Sequence, residues 1–291
     1  MGADTIELIS GAARLTIARR GAELRQWSVE GEDWLWTPDA AIWADVAPLL
    51  FPVVGWTREA QARVGGKTYP LGLHGFARFQ DFEVEARRAD FVRLVLRDKA
   101  ETRAQYPYSF EFAVEYRLSG QGLEMALLVR NSGAAPMPYA CGFHPGFVFD
   151  PAQAGQAVVF DAPERAFVPK IAPGGLFSDE ERAISLEGRS LPLTPDLFAQ
   201  EALCFLNAQS KGLTFQRAGG RVLRVELEDF PHIALWSQNG APYLCIEAWT
   251  GHGDPVGFSG ELSAKPSMRL LASGAQARHV MRLGIENQPI L

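Results

Sequence analysis

The sequence predicts a large antiparallel all-β fold, and three observations support this prediction. Apolar and polar residues alternate with a period of two along most of the chain, as in strands with one buried face. The 28 glycines and 19 prolines suit many turns between many short strands. Helical periodicity is confined to residues 178–184 and 194–201, each long enough for only one or two turns. No composition break or linker divides the chain, so residues 1–291 are predicted to form a single domain.

The individual strands are recognised by alternation and by the glycines that end them. A pair of glycines between two short extended runs is a hairpin signal, because glycine adopts the positive φ angles of two-residue turns. The predicted elements, in chain order, are alternating residues 13–29 broken at Gly21, a hairpin turning at Gly65-Gly66, a strand over 91–98, a hairpin of 110–118 with 122–131, a hairpin turning at Gly219-Gly220, and a strand over 243–249.

Composition and charge limit the classes of function. The net charge is −6 and the isoelectric point is about 5.5, whereas a nucleic-acid-binding face needs a surplus of basic residues. No apolar run approaches the roughly 18 residues that a membrane span requires. The three cysteines form no Cys-x-x-Cys pair, and the first residues lack the pattern of a signal peptide. We therefore expect a cytoplasmic protein without nucleic-acid or membrane partners, and the sequence sets no oligomeric state.

The predicted strand YLCIEAW, residues 243–249, contains an unusual carboxylate. Leu244 and Ile246 fall on one face of this strand, and Glu247 and Trp249 fall on the other. Carboxylates are rarely buried without a partner, and loss of hydration raises the pKa of a buried one. Glu247 is thus either a base of raised pKa in a functional site or a structural residue paired with an arginine, and the strand pattern alone favours neither.

Two histidines lie in similar loops at strand ends. His74 occurs in YPLGLHGFARF and His144 in YACGFHPGFVF, each among glycines and phenylalanines. Proline after His144 disfavours a helix there and places the histidine at the end of an extended run. A single histidine in such a position is more often a hydrogen-bonded structural residue, but two similar loops indicate a shared pocket. His252 is close to Glu247 in sequence and is expected to line the same opening.

Taken together, these segments resemble the aldose 1-epimerase (galactose mutarotase)-like family over about residues 5 to 285. The motifs that occur in the family's order are GAELRQWSVEGEDWLW, HGFARFQDFEV, YPYSFEFAVEYRL, LEMALLVRNSGAAPMPYACGFHPGF, YLCIEAWTG and SMRLLASGAQARHVMRL. The resemblance implies a large β-sandwich of the supersandwich type, a sugar bound in an open cleft, and catalysis without a metal or another cofactor. By position, His144 matches the family's general acid, Glu247 its base, and His74 the second active-site histidine near the sugar ring oxygen.

The same resemblance implies substrate-binding residues. Arg58 follows a Pro-x-x-Gly turn and is expected to contact sugar hydroxyls, while Trp249 and Trp236 offer flat apolar faces to the sugar. His252 is expected beside them. Arg78 suits a hydroxyl or a phosphate group, and it suits a structural ion pair equally well.

The predicted function is interconversion of the α and β anomers of a hexose or hexose phosphate. Ring opening requires a base for the anomeric hydroxyl and an acid for the ring oxygen, which Glu247 and His144 can supply near neutral pH. One alternative is a non-catalytic carbohydrate-binding or sensor protein with the same fold. Another is a metal-dependent enzyme that uses His74, His144 and Glu247 as ligands, but no His-x-His spacing supports it.

Overall fold

The computed structural model describes residues 4–217, 220–238 and 240–287 of the chain. Strands in the first half are β1 (Thr5–Ser10), β2 (Ala13–Ala18), β3 (Leu24–Val29), β4 (Glu32–Asp33), β5 (Leu49–Leu50), β6 (Gln61–Val64), β7 (Lys67–Pro70), β8 (Glu83–Arg88), β9 (Phe91–Arg97), β10 (Phe110–Leu118), β11 (Gly122–Asn131), β12 (Met137–Tyr139), β13 (Gly142–Phe143) and β14 (Gly146–Val148). Strands in the second half are β15 (Ala157–Phe160), β16 (Phe167–Ala172), β17 (Leu176–Ala183), β18 (Ser190–Pro192), β19 (Leu203–Phe205), β20 (Gly212–Gln216), β21 (Arg221–Glu228), β22 (His232–Trp236), β23 (Tyr243–Trp249), β24 (Arg269–Leu271) and β25 (Gln276–Asn287).

Helical structure is short throughout the described residues. It consists of α1 (Ala100–Arg103) and the 3₁₀ turns Arg58–Ala60, Ala77–Phe79 and Leu262–Ala264. In the part of the chain that the structure describes, no helix is long and apolar enough to cross a membrane.

The largest sheet has nine antiparallel strands in the order β18-β15-β20-β21-β25-β11-β10-β9-β8. The β10–β11 hairpin lies between β25 and β9 in this sheet, and its bounds confirm the prediction from alternation. Alternate residues of β11 point to opposite faces, so Leu127 and Val129 join the main core while Leu128 belongs to a small apolar patch on the other face. This outer face also carries ion pairs such as Arg93 with Glu85, so only one face of the sheet is covered by the main core.

The second large sheet lies across the core from the first. Its order is β19-β22-β23-β13-β5, and β14 also pairs with β23. Aromatic rings join the two layers: Phe51, just after β5, stacks on Phe112 of β10 with ring centroids 4.3 Å apart. Phe205 of β19 and Phe160 of β15 pack at a tilted angle, with ring centroids 4.7 Å apart. Such pairs bury large apolar surfaces between the layers, and the predicted antiparallel β-sandwich is confirmed.

Smaller units complete the fold: a sheet of β1-β2-β3-β4 and the two-stranded ribbons β6–β7, β12–β24 and β16–β17. The predicted turn at Gly65-Gly66 is confirmed between β6 and β7, and both glycines have positive φ. The β20–β21 hairpin is present, although Gly219 of its predicted turn lies outside the described residues.

Two local predictions were wrong. Residues 194–201 were expected to form one or two helical turns, but they form turns without a helix. Residues 178–184 were expected to form at most a short helical segment, but nearly all of them belong to β17, which pairs with β16. This charged run has no apolar stripe that would bury one side of a helix, so the backbone hydrogen bonds of the ribbon decide its conformation.

Candidate active site

The second large sheet has six strands when β14 is included. An open cleft of about 240 Å³ lies on the face of this sheet that points away from the main core. Strand β23 defines the two faces, because Ile246 and Ala248 join the core whereas Glu247 and Trp249 line the cleft. Its aromatic lining consists of Trp43, Trp56, Phe177, Trp236 and Trp249.

Glu247 lies on the cleft floor because of the register of three strands. Cys204 of β19, Ala234 of β22 and Glu247 of β23 are directly opposite one another, so their side chains share the cleft face. The Glu247 side chain is only 2% exposed, and its ionic partner is His144 rather than an arginine. Burial raises the pKa of Glu247 well above its ordinary value, because the charged form loses its hydration.

His144 follows β13 and faces Glu247 across the cleft floor. Its Nε2 atom is 3.2 Å from Oε2 of Glu247. The imidazole is enclosed by Trp43 and Trp236, whose ring centroids are 5.4 and 5.8 Å from its own. Burial between these rings lowers the pKa of His144 to about 4, because the imidazolium form loses its hydration.

The contact between His144 and Glu247 gives the cleft floor a pair of groups that can share a proton. An isolated imidazole holds a proton more tightly than an isolated carboxylate does. Here burial raises the pKa of Glu247 and lowers that of His144, so it acts against this usual order. A single proton can therefore reside on either group, and the pair can act as acid and base together.

His74 approaches the same place from the loop after β7. Its ring is perpendicular to that of His144, with centroids 5.5 Å apart. The backbone N–H of Gly55 donates to Nδ1 of His74 at 3.1 Å. Burial, followed by the neighbouring His144, holds the pKa of His74 well below its ordinary value. The neutral ring with an accepting Nδ1 carries its proton on Nε2, so His74 is a hydrogen-bond donor that stays uncharged.

The His74 loop needs its glycine for two reasons. His74 and Gly75 both have positive φ angles, of 60° and 70°. A Cβ atom on Gly75 would lie 2.3 Å from the carbonyl oxygen of Phe51, far inside the contact distance. That carbonyl accepts the backbone N–H of Phe76, so the loop is fastened to the chain just after β5. Glycine thus permits the close approach that brings His74 to the cleft.

Arg78 and Trp249, both expected to contact the substrate, also line the cleft. Nη1 of Arg78 lies 3.2 Å from Oδ2 of Asp45, and the guanidinium lies over the Phe79 ring at 4.6 Å. Its Nε atom has no hydrogen-bond partner among the residues described. Arg78 is therefore both a member of an ion pair and a cation on the cleft wall.

The structure does not place Arg58 or His252 on the wall of this cleft. The Arg58 guanidinium lies 3.4 Å from the carboxylate of Glu59 and borders a separate, smaller cavity of about 60 Å³. His252 is buried behind Phe177, with ring centroids 5.0 Å apart, and its Nδ1 is 2.9 Å from the carbonyl oxygen of Gly253. Both residues belong to the segments that support one side of the cleft.

Sequence reasoning missed several lining residues. Trp43, Trp56, Phe177, Glu201 and Cys204 line the cleft although the sequence did not indicate them, and three of them lie outside regular strands. For Cys204 the signal is the register of β19 with β22, which is a property of strand pairing rather than of local sequence. Within residues 4–217, 220–238 and 240–287, no group of three or more His, Cys, Asp and Glu side chains could hold a metal ion.

Most of the chain is similar to a known protein family. The family model described as aldose 1-epimerase matches residues 4–283. The chain is 32% identical over 253 residues to the chromosomal LacX protein of Lactococcus lactis subsp. lactis, covering 82% of this chain and 85% of LacX.

Solved structures of two bacterial proteins are similar to the chain over nearly its whole length. A galactose mutarotase-like protein from Lactobacillus casei superposes with a TM-score of 0.91 at 28% identity, covering 97% of this chain and all of the other. A galactose mutarotase related enzyme from Lactobacillus acidophilus gives a TM-score of 0.90 at 27% identity, covering 99% of both chains. Because the family model spans nearly the whole sequence, the chain belongs to the aldose 1-epimerase family.

Proposed function

We propose that the chain forms a single aldose 1-epimerase-like domain that interconverts the α and β anomers of a hexose or hexose phosphate. His144 acts as the acid, Glu247 as the base, and His74 as a neutral hydrogen-bond donor to the sugar. The observation that supports this proposal most strongly is the 3.2 Å contact between Nε2 of His144 and Oε2 of Glu247 on the floor of an open cleft.

The closeness of the two groups suits the chemistry of a cyclic aldose. The anomeric hydroxyl and the ring oxygen are bonded to the same carbon atom. A base that takes the proton of one oxygen and an acid that protonates the other must therefore be neighbours. An acid and a base placed far apart in the cleft could not reach both of these oxygen atoms at once.

The proton transfers balance over a complete turnover. Glu247 takes the anomeric proton, a carbonyl forms at the anomeric carbon, the bond to the ring oxygen breaks, and His144 protonates that oxygen. Rotation about the adjacent carbon–carbon bond then presents the other face of the aldehyde. On closure the ring hydroxyl attacks this carbonyl and returns its proton to His144, while Glu247 protonates the carbonyl oxygen. The pair ends in the state in which it began.

The remaining cleft residues supply recognition. Trp43, Trp236 and Trp249 present apolar ring faces that can cover the carbon–hydrogen side of a sugar. Arg78 and Glu201 are the other charged side chains that line the cleft in the described part of the chain. We assign Arg78 to a hydroxyl or phosphate oxygen and Glu201 to a hydroxyl group. A guanidinium donates hydrogen bonds, whereas a carboxylate accepts them.

Exchange NMR on equilibrated D-glucose, D-galactose and their 6-phosphates tests the proposal. We expect catalytic amounts of protein to exchange the two anomers of at least one sugar much faster than buffer does. Methyl α-D-glucopyranoside is the control, because it lacks the anomeric hydroxyl proton and should not be interconverted. Sugar binding without any exchange above buffer would contradict the proposal and favour a carbohydrate-binding protein.

A further inference from the structure

Trp249 makes a hydrogen bond that an apolar wall of the cleft does not require. Its indole Nε1–H donates to Oε2 of Glu247 at 3.0 Å. The same oxygen lies 3.2 Å from Nε2 of His144. Among the described residues, none donates a hydrogen bond to Oε1 of Glu247. One carboxylate oxygen is therefore held from two sides, and the other remains available.

We propose that Trp249 is a positioning residue, whose indole holds Oε2 of Glu247 so that Oε1 takes the proton from the anomeric hydroxyl. This inference rests on the acid/base function proposed above, and it replaces the expectation that Trp249 serves only as a substrate contact. His144 remains the group that protonates the ring oxygen.

The fold keeps the indole of Trp249 in place. Trp249 pairs with Gly142 of β13 and with His232 of β22, so strands flank it on both sides. A Cβ atom on Gly142 would lie only 2.9 Å from Cδ1 of Trp249, so glycine is needed for the ring to occupy this position. The side chain is buried and cannot turn away without disturbing the sheet. The direction of the N–H bond is thus imposed by the backbone.

The hydrogen bond also has an electrostatic consequence. An N–H donor favours the charged form of a carboxylate, so Trp249 lowers the pKa of Glu247 against the larger effect of burial. It thereby increases the fraction of protein in which Glu247 is the base and His144 holds the proton. Besides His144, the titratable groups next to Glu247 are Cys204, Cys245 and Tyr243. Those next to His144 are His74 and Arg78.

Trp249→Phe tests the inference, because phenylalanine keeps an aromatic ring and removes the N–H donor. We expect kcat to fall about 10- to 100-fold, as for loss of a hydrogen bond to a charged group, with little change in KM. The alkaline limb of the pH–rate profile is the pH range in which the His144–Glu247 pair loses its single proton. This limb should move to higher pH, because without the indole donor Glu247 holds that proton more tightly. A raised KM with an unmoved limb would show that Trp249 is only a substrate contact and would overturn the inference.

Trp236→Phe is the matched control. It removes an indole from the same cleft, 5.8 Å from the His144 ring, without removing a donor to Glu247. We expect its effect to fall on KM, and its alkaline limb to stay where it is in the wild type. An equal shift of the limb in both variants would mean that loss of any cleft indole has this effect, which contradicts the inference.

A readout without turnover separates this inference from the proposed function. Carbon-13 titration of the Glu247 carboxyl in sugar-free protein should give a higher midpoint in Trp249→Phe than in wild type. An unchanged midpoint would overturn the inference whether or not the chain anomerises sugars. If Trp249→Phe does not fold, 3-benzothienylalanine at position 249 keeps the shape of tryptophan without its donor, and the same higher midpoint is expected.

Discussion

Glu247→Gln is expected to reduce the rate of anomer exchange by about 10²–10⁴-fold, the usual contribution of one positioned acid or base. Glutamine keeps the shape of the side chain and an acceptor for the indole of Trp249, but it cannot take the anomeric proton. Polarimetry of freshly dissolved α-sugar measures the effect. Glu115→Gln, on the outer face of the nine-stranded sheet, is the control and should keep wild-type turnover. Wild-type rates in Glu247→Gln would remove Glu247 from the mechanism.

The same variant should change the pH dependence of stability in a defined direction. Burial raises the folded-state pKa of Glu247 above its ordinary value of 4.5. Between these two pKa values the folded chain binds more protons than the unfolded chain, so the wild-type free energy of unfolding falls as pH rises. Glutamine does not titrate, so the variant lacks this decrease in the free energy of unfolding. Urea unfolding at several pH values should show Glu247→Gln gaining stability relative to wild type as pH increases above about 4.5. A relative loss with rising pH would contradict the assigned shift.

His144→Asn is expected to have a comparable effect on turnover, again about 10²–10⁴-fold. Asparagine can still donate a hydrogen bond to Glu247, but it cannot deliver a proton to the ring oxygen and recover it on closure. Sugar binding, measured by saturation-transfer NMR, should persist. This combination of retained binding and lost exchange separates a chemical role from a structural one.

The control for His144→Asn is a buried histidine away from the cleft. His279 of β25 is fully buried, with Nε2 3.0 Å from the hydroxyl of Tyr139 and Nδ1 2.9 Å from the carboxylate of Asp229. His279→Asn should lower the melting temperature and leave kcat unchanged. If the His144 and His279 variants lose stability and activity in parallel, the effect at His144 is structural and the acid assignment fails.

Much of the fold could be predicted because its determinants are local. Alternation and paired glycines set the β10–β11 and β6–β7 hairpins, where partner strands are neighbours in sequence. The local sequence also showed that His144 precedes Pro145 and that Glu247 lies within an apolar strand. Their proximity was implied by family resemblance, and in the structure three separate segments bring His74, His144 and Glu247 into one cleft.

The remaining features depend on contacts between residues distant in sequence. Arg58 follows a turn motif, yet its backbone N–H donates to the buried carboxylate of Asp254, and its side chain borders a different cavity. Cys204 reaches the cleft floor only through strand register. Trp43 lies beside His144 although its own segment has no regular structure. No local pattern encodes such neighbours, since strand order and loop packing decide them.

The most direct test of the central claim compares anomer exchange by wild type, the two single variants and the His144→Asn/Glu247→Gln double variant at saturating sugar. Residues that act as one unit show strongly non-additive effects. We predict exchange well above buffer for wild type, and a loss in the double variant no greater than about that of either single variant. Wild-type exchange no faster than buffer while sugar binds, or losses that multiply in the double variant, would contradict the account.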